Sequence, residues 1–131
     1  MIILDTHIWV RWVDGSSNPL PSRIIDQIET ADALAVSAVS CWEIAWLVSC
    51  NRVKLNIEFD LWLENSLSES GVVCLPIDRK IAVRAAKLPV HHRDPADRLI
   101  IATAIEHQAN LISLDQVFPE YSELSELLIQ N

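Results

Sequence analysis

Glycine is scarce in this chain of 131 residues, because only Gly15 and Gly71 are present. A phosphate-binding P-loop needs several glycines at fixed spacing, and so does the fingerprint of dinucleotide-binding folds. Neither pattern occurs in the sequence. Nucleotide binding through a glycine-rich loop is therefore excluded.

Long apolar runs are also missing, although 50% of the residues are hydrophobic. No run approaches the ~18 residues that a membrane-spanning helix needs. Met1 is followed directly by Ile2-Ile3-Leu4, without a basic segment or a small-residue cleavage site. We therefore expect neither a signal peptide nor a membrane anchor, and we expect a cytoplasmic protein.

Cysteine occurs at an odd number of positions and never in a C-x-x-C motif. The three cysteines are Cys41, Cys50 and Cys74. This count and spacing do not indicate a disulfide framework. We expect three reduced cysteines in the core of the fold.

Positive charge is scarce and unevenly distributed along the chain. The net charge of −8 by itself opposes nucleic-acid binding, because phosphate contacts need lysine and arginine. However, six of the ten basic residues lie between Arg79 and Arg98, and none follows Arg98. One strip of the surface could therefore face a polyanion, although an ordinary solvated surface explains the same pattern.

Short apolar runs alternate with stretches of helical spacing. The runs predict buried strands at Ile2–Leu4, Leu34–Ser37, Val72–Leu75 and 111–114, and an edge strand at 127–129. Helical patterns lie at 9–13, 21–28, 40–50, 57–67, 78–88 and 95–109. This alternation predicts one α/β domain over residues 1–131, with a parallel sheet covered by helices on both faces.

Four acids lie beside the carboxyl ends of the predicted strands. Asp5 directly follows the first strand, and Asp115 directly follows the fourth. Glu43 lies about one helical turn beyond the second strand, and Asp97 lies one turn inside the helix that Asp94 precedes. Because ligands of parallel sheets bind beyond this edge, we expect the four carboxylates to converge.

Each acid also has an ordinary structural explanation. Asp5 and Asp94 are suited to cap the helices that follow them. Glu43 fits the S-x-x-E capping box, in which it would bond back to the chain. Asp97 complements a helix dipole, and Asp115 is placed as a turn residue. Four such acids beside one sheet edge nevertheless favour a joint site.

The chemistry of a carboxylate cluster favours a hard divalent cation. Mg²⁺ prefers oxygen ligands, and carboxylates without basic partners repel one another unless a cation is present. Such a cation orients a phosphate and lowers the pKa of a bound water. The sequence therefore predicts phosphodiester hydrolysis that needs no serine, cysteine or histidine nucleophile.

Four sequence blocks carry a family resemblance, and together they span nearly the whole chain. They are Ile3-Leu-Asp-Thr-His7, Val36-Ser-Ala-Val-Ser-Cys-Trp-Glu-Ile44, Asp94-Pro-Ala-Asp-Arg-Leu-Ile-Ile-Ala-Thr-Ala104 and Leu111-Ile-Ser-Leu-Asp115. The order and spacing of these four blocks are those of PIN-domain ribonucleases. The chain resembles this family, and specifically the VapC-type toxins of bacterial and archaeal toxin–antitoxin pairs.

The resemblance implies an α/β/α sandwich, a Mg²⁺ or Mn²⁺ cofactor, RNA cleavage, a cognate antitoxin and a homodimer. It implies catalytic and metal-binding roles for Asp5, Glu43, Asp97 and Asp115. Asp94 is similar to an extra acid in one branch of the family, and we expect it beside the metal ligands. Ser113 stands where threonine is common, and it keeps the hydroxyl.

Neighbours of the acids are further candidates. We expect Thr6 to orient a carboxylate or a metal-bound water, and Arg98 to pair with a nearby acid. The residues expected to contact RNA are Lys80, Arg84, Lys87, His92 and Arg93.

The tryptophans form two pairs at helical spacing. One pair is Trp9 and Trp12, and the other is Trp42 and Trp46. We expect both pairs to pack in the core. The alternative is a partly exposed surface for a second copy of the chain or for an antitoxin.

Two other functions remain open from the sequence. A phosphatase of the haloacid-dehalogenase kind also begins with an aspartate after a short strand, but it needs a second one two positions later, where this chain has His7. A PIN-like module that only binds a partner is the second alternative.

Overall fold

A five-stranded parallel sheet forms the centre of the molecule. The computed structural model describes residues 1–15 and 18–131. The strands are β1 (Ile2–Leu4), β2 (Leu34–Ser37), β3 (Val72–Leu75), β4 (Asn110–Ile112) and β5 (Leu128–Ile129). All neighbours are parallel, in the order β3-β2-β1-β4-β5. The strand order therefore reverses beside β1, and this reversal opens a crevice between the ends of β1 and β4.

Alternate residues of the central strands point to opposite faces of the sheet. Ile3 pairs with Ala35 and Leu111, and all three belong to one buried apolar cluster. The next residues along β1 and β4, Leu4 and Ile112, belong to a second cluster. Two apolar cores, one on each face, hold the helices against the sheet.

Six α-helices of the described residues cover these faces. They are α1 (Thr6–Asp14), α2 (Ser22–Glu29), α3 (Ala38–Ser49), α4 (Phe59–Glu64), α5 (Arg79–Lys87) and α6 (Pro95–His107). One face carries α5 and α6, and the other carries α1, α2 and α4. Within the ranges described, no helix combines the length and apolarity that a membrane crossing requires. The predicted three-layer α/β/α sandwich is confirmed.

Local hydrogen bonds move some helix boundaries from their predicted positions. The helix α3 begins at Ala38, two residues before the predicted start, because Ser37 Oγ accepts the N–H of Val39 at 3.2 Å. The predicted helix at 57–67 is instead α4 followed by a π-helical segment, Asn65–Glu69. Apolar spacing by four residues does not distinguish these two hydrogen-bond patterns.

The expectation that the cysteines lie in the core was wrong for Cys50 and Cys74, whereas Cys41 packs partly buried against one apolar cluster. Cys50 and Cys74 are exposed and Cys41 is half-buried, and all three are free thiols. Cys74 lies on the edge strand β3, and Cys50 lies at the end of α3, where little of the fold covers them. The Sγ atoms of Cys41 and Cys74 are 3.9 Å apart. Burial raises the pKa of the Cys41 thiol to about 12.

The two tryptophan pairs occupy different environments. Trp9 is fully buried, and its ring lies 5.3 Å from that of Trp62. Trp42 and Trp46 are 61% and 56% exposed, and their rings stack at 6.4 Å. The expectation of core packing is therefore confirmed for Trp9, and Trp12 packs partly buried against the same apolar cluster. The expectation is wrong for Trp42 and Trp46, because their side of α3 is exposed.

Candidate metal centre

Asp5 is a buried acid at the crevice between β1 and β4. Its backbone N–H donates to Ile112 O at 3.0 Å, which fixes the chain where β1 ends. Its Oδ1 accepts the N–H of Thr6 at 2.8 Å, and its Oδ2 accepts the hydroxyl of Ser113 at 2.7 Å. Burial raises the pKa of Asp5, and these hydrogen bonds partly oppose the increase. Asp5 thus caps α1 and also belongs to the crevice.

Glu43 is held by a hydroxyl from a different segment of the chain. Thr6 Oγ1 donates to Glu43 Oε1 at 2.6 Å and lies 2.8 Å from Ser40 Oγ. Because the single proton of Thr6 Oγ1 goes to Glu43, Ser40 must donate to Thr6. The capping-box explanation for Glu43 was wrong, because Ser37 caps α3 and Ser40 lies within the helix. Burial raises the pKa of Glu43.

Asp97 lies in the first turn of α6, where several negative charges meet. Asp94 caps this helix, since its Oδ1 accepts the N–H of Ala96 at 2.9 Å. The Asp97 side chain is only 14% exposed. Burial first, and then the charges of Asp5 and Asp94, raise the pKa of Asp97 to about 7.

Asp115 follows β4 and is fixed by a tight turn. Its Oδ1 accepts the N–H of Val117 at 2.7 Å, and its own N–H donates to Ser113 Oγ at 3.1 Å. The side-chain amide of Gln130 donates to the carbonyls of Ser113 and Asp115, both at 3.0 Å. The residue that follows β5 therefore supports the loop that carries Asp115.

His92 lies inside this acidic site, which the sequence did not indicate. Its Nε2 is 2.9 Å from Asp97 Oδ2 and 3.2 Å from Asp115 Oδ2. One possible metal-ligating atom from each of His92, Asp97 and Asp115 lies within 4.8 Å of the other two. Two adjacent histidines before a helix do not predict this position of His92. The conformation of the loop brings its ring between Asp97 and Asp115.

The donor set fits a hard divalent cation. Among residues 1–15 and 18–131, no lysine or arginine forms an ion pair with Asp5, Glu43, Asp97 or Asp115. Burial raises the pKa of Asp5, Glu43 and Asp97, and the charges of neighbouring carboxylates raise each of them further. Oxygen ligands with uncompensated negative charge are those that Mg²⁺ and Mn²⁺ prefer.

The family model of the PIN domain matches residues 2–124. The chain belongs to the PIN-domain family. Ribonuclease VapC22 of Mycobacterium tuberculosis is 40% identical over 116 residues, which cover 88% of this chain and 87% of that protein.

Solved structures share the fold of this PIN domain at low sequence identity. A chain of the VapBC2 complex from Rickettsia felis, bound to a promoter DNA fragment, superposes with a TM-score of 0.74 at 20% identity and covers 99% of this chain and 98% of that one. A chain of a toxin–antitoxin complex from Klebsiella pneumoniae has a TM-score of 0.64 at 16% identity, with 98% and 96% covered.

Within the described part of the chain, Arg98 forms no ion pair with an acid, contrary to expectation. Its guanidinium donates to five backbone carbonyls, which belong to Ala85, Ala86, Leu88, Pro89 and His92. These carbonyls lie at the end of α5 and in the loop before α6, where helical acceptors lack partners. Arg98 therefore joins the two helices of this PIN domain and holds the loop that carries His92.

The remaining basic candidates lie on the exposed side of α5 and in the loop before α6. Lys80, Arg84 and Lys87 line a groove of about 490 Å³. Arg84 Nε is 2.8 Å from Glu106 Oε1, so one cation of the groove is partly neutralised. The other residues that line it are Arg79, Val83, Leu88, Glu106 and Glu123. Arg93 is exposed beside His92.

Proposed function

We propose that this PIN domain is a metal-dependent endoribonuclease and the toxin of a toxin–antitoxin pair. The observation that carries the proposal is the convergence of acids from β1, α3, α6 and the loop after β4, in which burial and then neighbouring carboxylates raise the pKa of Asp5, Glu43 and Asp97. Among the described residues, none of the four acids forms an ion pair with lysine or arginine. Identity of 40% to a protein named ribonuclease VapC22 supports RNA as the substrate class.

We propose that Asp5, Glu43, Asp97 and Asp115 hold Mg²⁺ or Mn²⁺. When bound, the cation would polarise the scissile phosphate and activate a water. The protein's own contribution is to place the carboxylates before the cation arrives. Thr6 holds Glu43 and Ser113 holds Asp5 through short hydrogen bonds. Asp94 adds negative charge beside Asp97 while it caps α6.

We propose that RNA approaches the acids along the basic side of α5. The groove residues Lys80, Arg84 and Lys87, together with Arg93, are exposed cations on this side, as is Arg79. They would attract a phosphate backbone that the overall charge of −8 repels elsewhere. Arg98 is not part of this set, because backbone carbonyls occupy its donors.

We propose a cognate antitoxin as partner and a homodimer as the state of the toxin. The structural relatives named above come from VapBC and toxin–antitoxin complexes, which supports the antitoxin. The exposed pair of Trp42 and Trp46 provides apolar surface for a protein partner. We also propose that the protein acts in the cytoplasm, because its proposed substrate is cellular RNA.

The proposal is tested by RNA cleavage with purified protein. We expect Asp5→Asn and Asp97→Asn to lower the cleavage rate by at least about a hundredfold, and EDTA to abolish cleavage until Mg²⁺ or Mn²⁺ is restored. Glu126→Gln is the matched control, because Glu126 is an exposed acid outside the site. Full activity of Asp5→Asn, or activity that survives EDTA, would contradict the mechanism. Calorimetry without heat from either cation would favour a module that only binds a partner.

A further inference from the structure

The fold holds the ring of His92 at a fixed position between two acids. The ring packs edge-on against Phe118, with centroids 6.0 Å apart and planes at 75°. The backbone N–H of His92 donates to the hydroxyl of Tyr121 at 2.8 Å, and that hydroxyl donates to Pro89 O at 2.9 Å. These contacts lie outside the acidic cluster, so the location of the imidazole does not depend on the acids alone.

The hydrogen bonds of the ring define which nitrogen carries the proton. The Nδ1 atom accepts the backbone N–H of Asp94 at 3.3 Å. In a neutral imidazole, one nitrogen accepts and the other donates, so the proton resides on Nε2. This N–H is directed at Asp97 Oδ2 and Asp115 Oδ2, at 2.9 Å and 3.2 Å. One donor is therefore shared between two carboxylates.

We propose that His92 is a positioning residue that holds Asp97 and Asp115 together in the metal-free protein and competes with the divalent cation for their oxygens. The inference rests on the proposed function in that it assumes a cation site at these two acids. Neighbouring carboxylates repel each other when no cation is present, and a shared N–H donor offsets this repulsion. A cation held through these two Oδ2 atoms would take the oxygens that the imidazole now contacts, so the imidazole would have to move away.

A role for His92 as a metal ligand would require the opposite tautomer. A histidine that binds a metal through Nε2 carries its proton on Nδ1 and usually donates it to a carboxylate or a carbonyl. Here Nδ1 faces a donor, the N–H of Asp94. The local backbone therefore stabilises the ring as a donor to the acids and disfavours it as a ligand.

The first experiment compares Mn²⁺ and Mg²⁺ affinity by calorimetry for the full chain and its His92→Ala variant. It is carried out at pH 8, above the pKa of about 7 for Asp97. Removal of a charge-assisted hydrogen bond that opposes the cation should tighten binding about tenfold. The matched control is His91→Ala, because the exposed ring of His91 contacts Tyr121 and, among the residues described, forms no ion pair with the acids. Its affinity should equal that of the wild type.

The outcomes separate this inference from the proposed function. Weaker cation binding by His92→Ala would identify the imidazole as a ligand and overturn the inference, and unchanged affinity would overturn it as well. Absence of binding by both wild type and variant would contradict the proposed metal site itself.

A second measurement uses the wild-type protein and does not depend on the folding of a variant. Nitrogen chemical shifts of ¹⁵N-labelled histidine report which ring nitrogen carries the proton. In EDTA, we expect the Nε2–H tautomer for His92, and we expect Mg²⁺ to shift its resonances while the proton stays on Nε2. An Nδ1–H tautomer, in EDTA or after Mg²⁺ addition, would overturn the inference.

Discussion

The hydroxyl of Thr6 determines where the carboxylate of Glu43 points. Thr6 is 4% exposed, and its Oγ1 contacts both Glu43 and Ser40. The change Thr6→Val keeps the shape but leaves both partners without this hydrogen bond. We expect a loss of about 1–3 kcal/mol in the free energy of unfolding and a roughly tenfold to hundredfold slower RNA cleavage, since misplaced catalytic groups act poorly.

Thr6→Ser is the control for this prediction. It keeps the hydroxyl and should retain most of the cleavage rate, measured under the same conditions. Equal activity of the valine and wild-type proteins would show that Glu43 does not need the support of Thr6.

The raised pKa of Asp97 predicts how the stability of the metal-free protein depends on pH. Its pKa of about 7 in the folded protein exceeds the ordinary value of 3.8, so the folded state binds the proton more tightly than the unfolded state. The stability that this group contributes is therefore fully present below about pH 4 and is lost as the pH rises towards 7. Asp5 and Glu43 shift in the same direction.

This pH dependence is measured by thermal unfolding in EDTA between pH 4 and pH 8. We expect the midpoint temperature to fall with rising pH, and to fall less steeply in Asp97→Asn. Glu126→Gln should follow the wild type, since Glu126 is exposed. If the midpoint temperatures of Asp97→Asn and the wild type fell equally with rising pH, the raised pKa of Asp97 would be contradicted.

At the residue scale, the sequence located the acids but not all of their partners. Asp5 directly follows β1 as predicted, whereas Asp115 lies three residues beyond β4, which ends at Ile112 rather than at residue 114. The placement of His92 between acids depends on a loop whose path is set by Arg98 and Tyr121. No spacing rule describes such a loop, so its geometry could not be predicted.

The pairing of α5 with α6 depends on Arg98. Its guanidinium donates to backbone carbonyls at the end of α5 and in the following loop. We expect Arg98→Ala to lower the free energy of unfolding by ~2 kcal/mol or more, because the charged donor to five backbone carbonyls is removed. Urea denaturation measures the change.

Arg84→Ala is the matched control for Arg98→Ala. Arg84 forms one exposed ion pair, with Glu106, and such pairs contribute about 0–1 kcal/mol. If Arg98→Ala and Arg84→Ala lowered the free energy of unfolding by similar amounts, Arg98 would contribute no more than an ordinary surface arginine.

The strand β5 supports the site through the residue that follows it. Gln130 donates to the carbonyls of Ser113 and Asp115. We expect Gln130→Ala to slow RNA cleavage about tenfold, because the loop of Asp115 is less well held. The adjacent change Asn131→Ala should leave the rate unchanged, since Asn131 is exposed. Unchanged cleavage by Gln130→Ala would show that the loop holds its shape without this support.

At the element scale, strands were easier to predict than helix ends. The bounds of β2 and β3 match the apolar runs, because Ser37 ends β2 as the N-cap of α3, and Gly71 and Pro76 flank β3. The helix α6 ends at His107 rather than at residue 109, since Gln108 adopts a left-handed conformation with φ 48°. Glycine normally marks such an end, and glutamine does not. The order of the strands was not predicted, because the apolar pattern contains no information on which strands are neighbours.

For the whole molecule, the uneven distribution of charge predicts the salt dependence of RNA binding. Each phosphate contact of single-stranded nucleic acid contributes a slope of roughly 0.7 in log affinity against log salt. In a cleavage-deficient Asp97→Asn background, we expect the double change Lys80→Gln and Lys87→Gln to lower this slope by about 1.4. Fluorescence anisotropy with a labelled RNA measures it.

Lys54→Gln is the control in the same background. Lys54 lines a different groove, beside α1 and α4, and its removal should leave the slope unchanged. An equal decrease for Lys54→Gln would show that the acidic protein has no preferred side for RNA.

The distance along the chain between the parts of the site determines when the site is completed during synthesis. Asp5 is made early, whereas Ser113, which holds its carboxylate, is made 108 residues later. Gln130, which supports the turn around Ser113 and Asp115, follows later still. A growing chain on the ribosome therefore lacks the support of Gln130 for the loop of Asp115 until β5 has left the exit tunnel. We expect the proposed activity of such a chain to be lower than that of the finished fold.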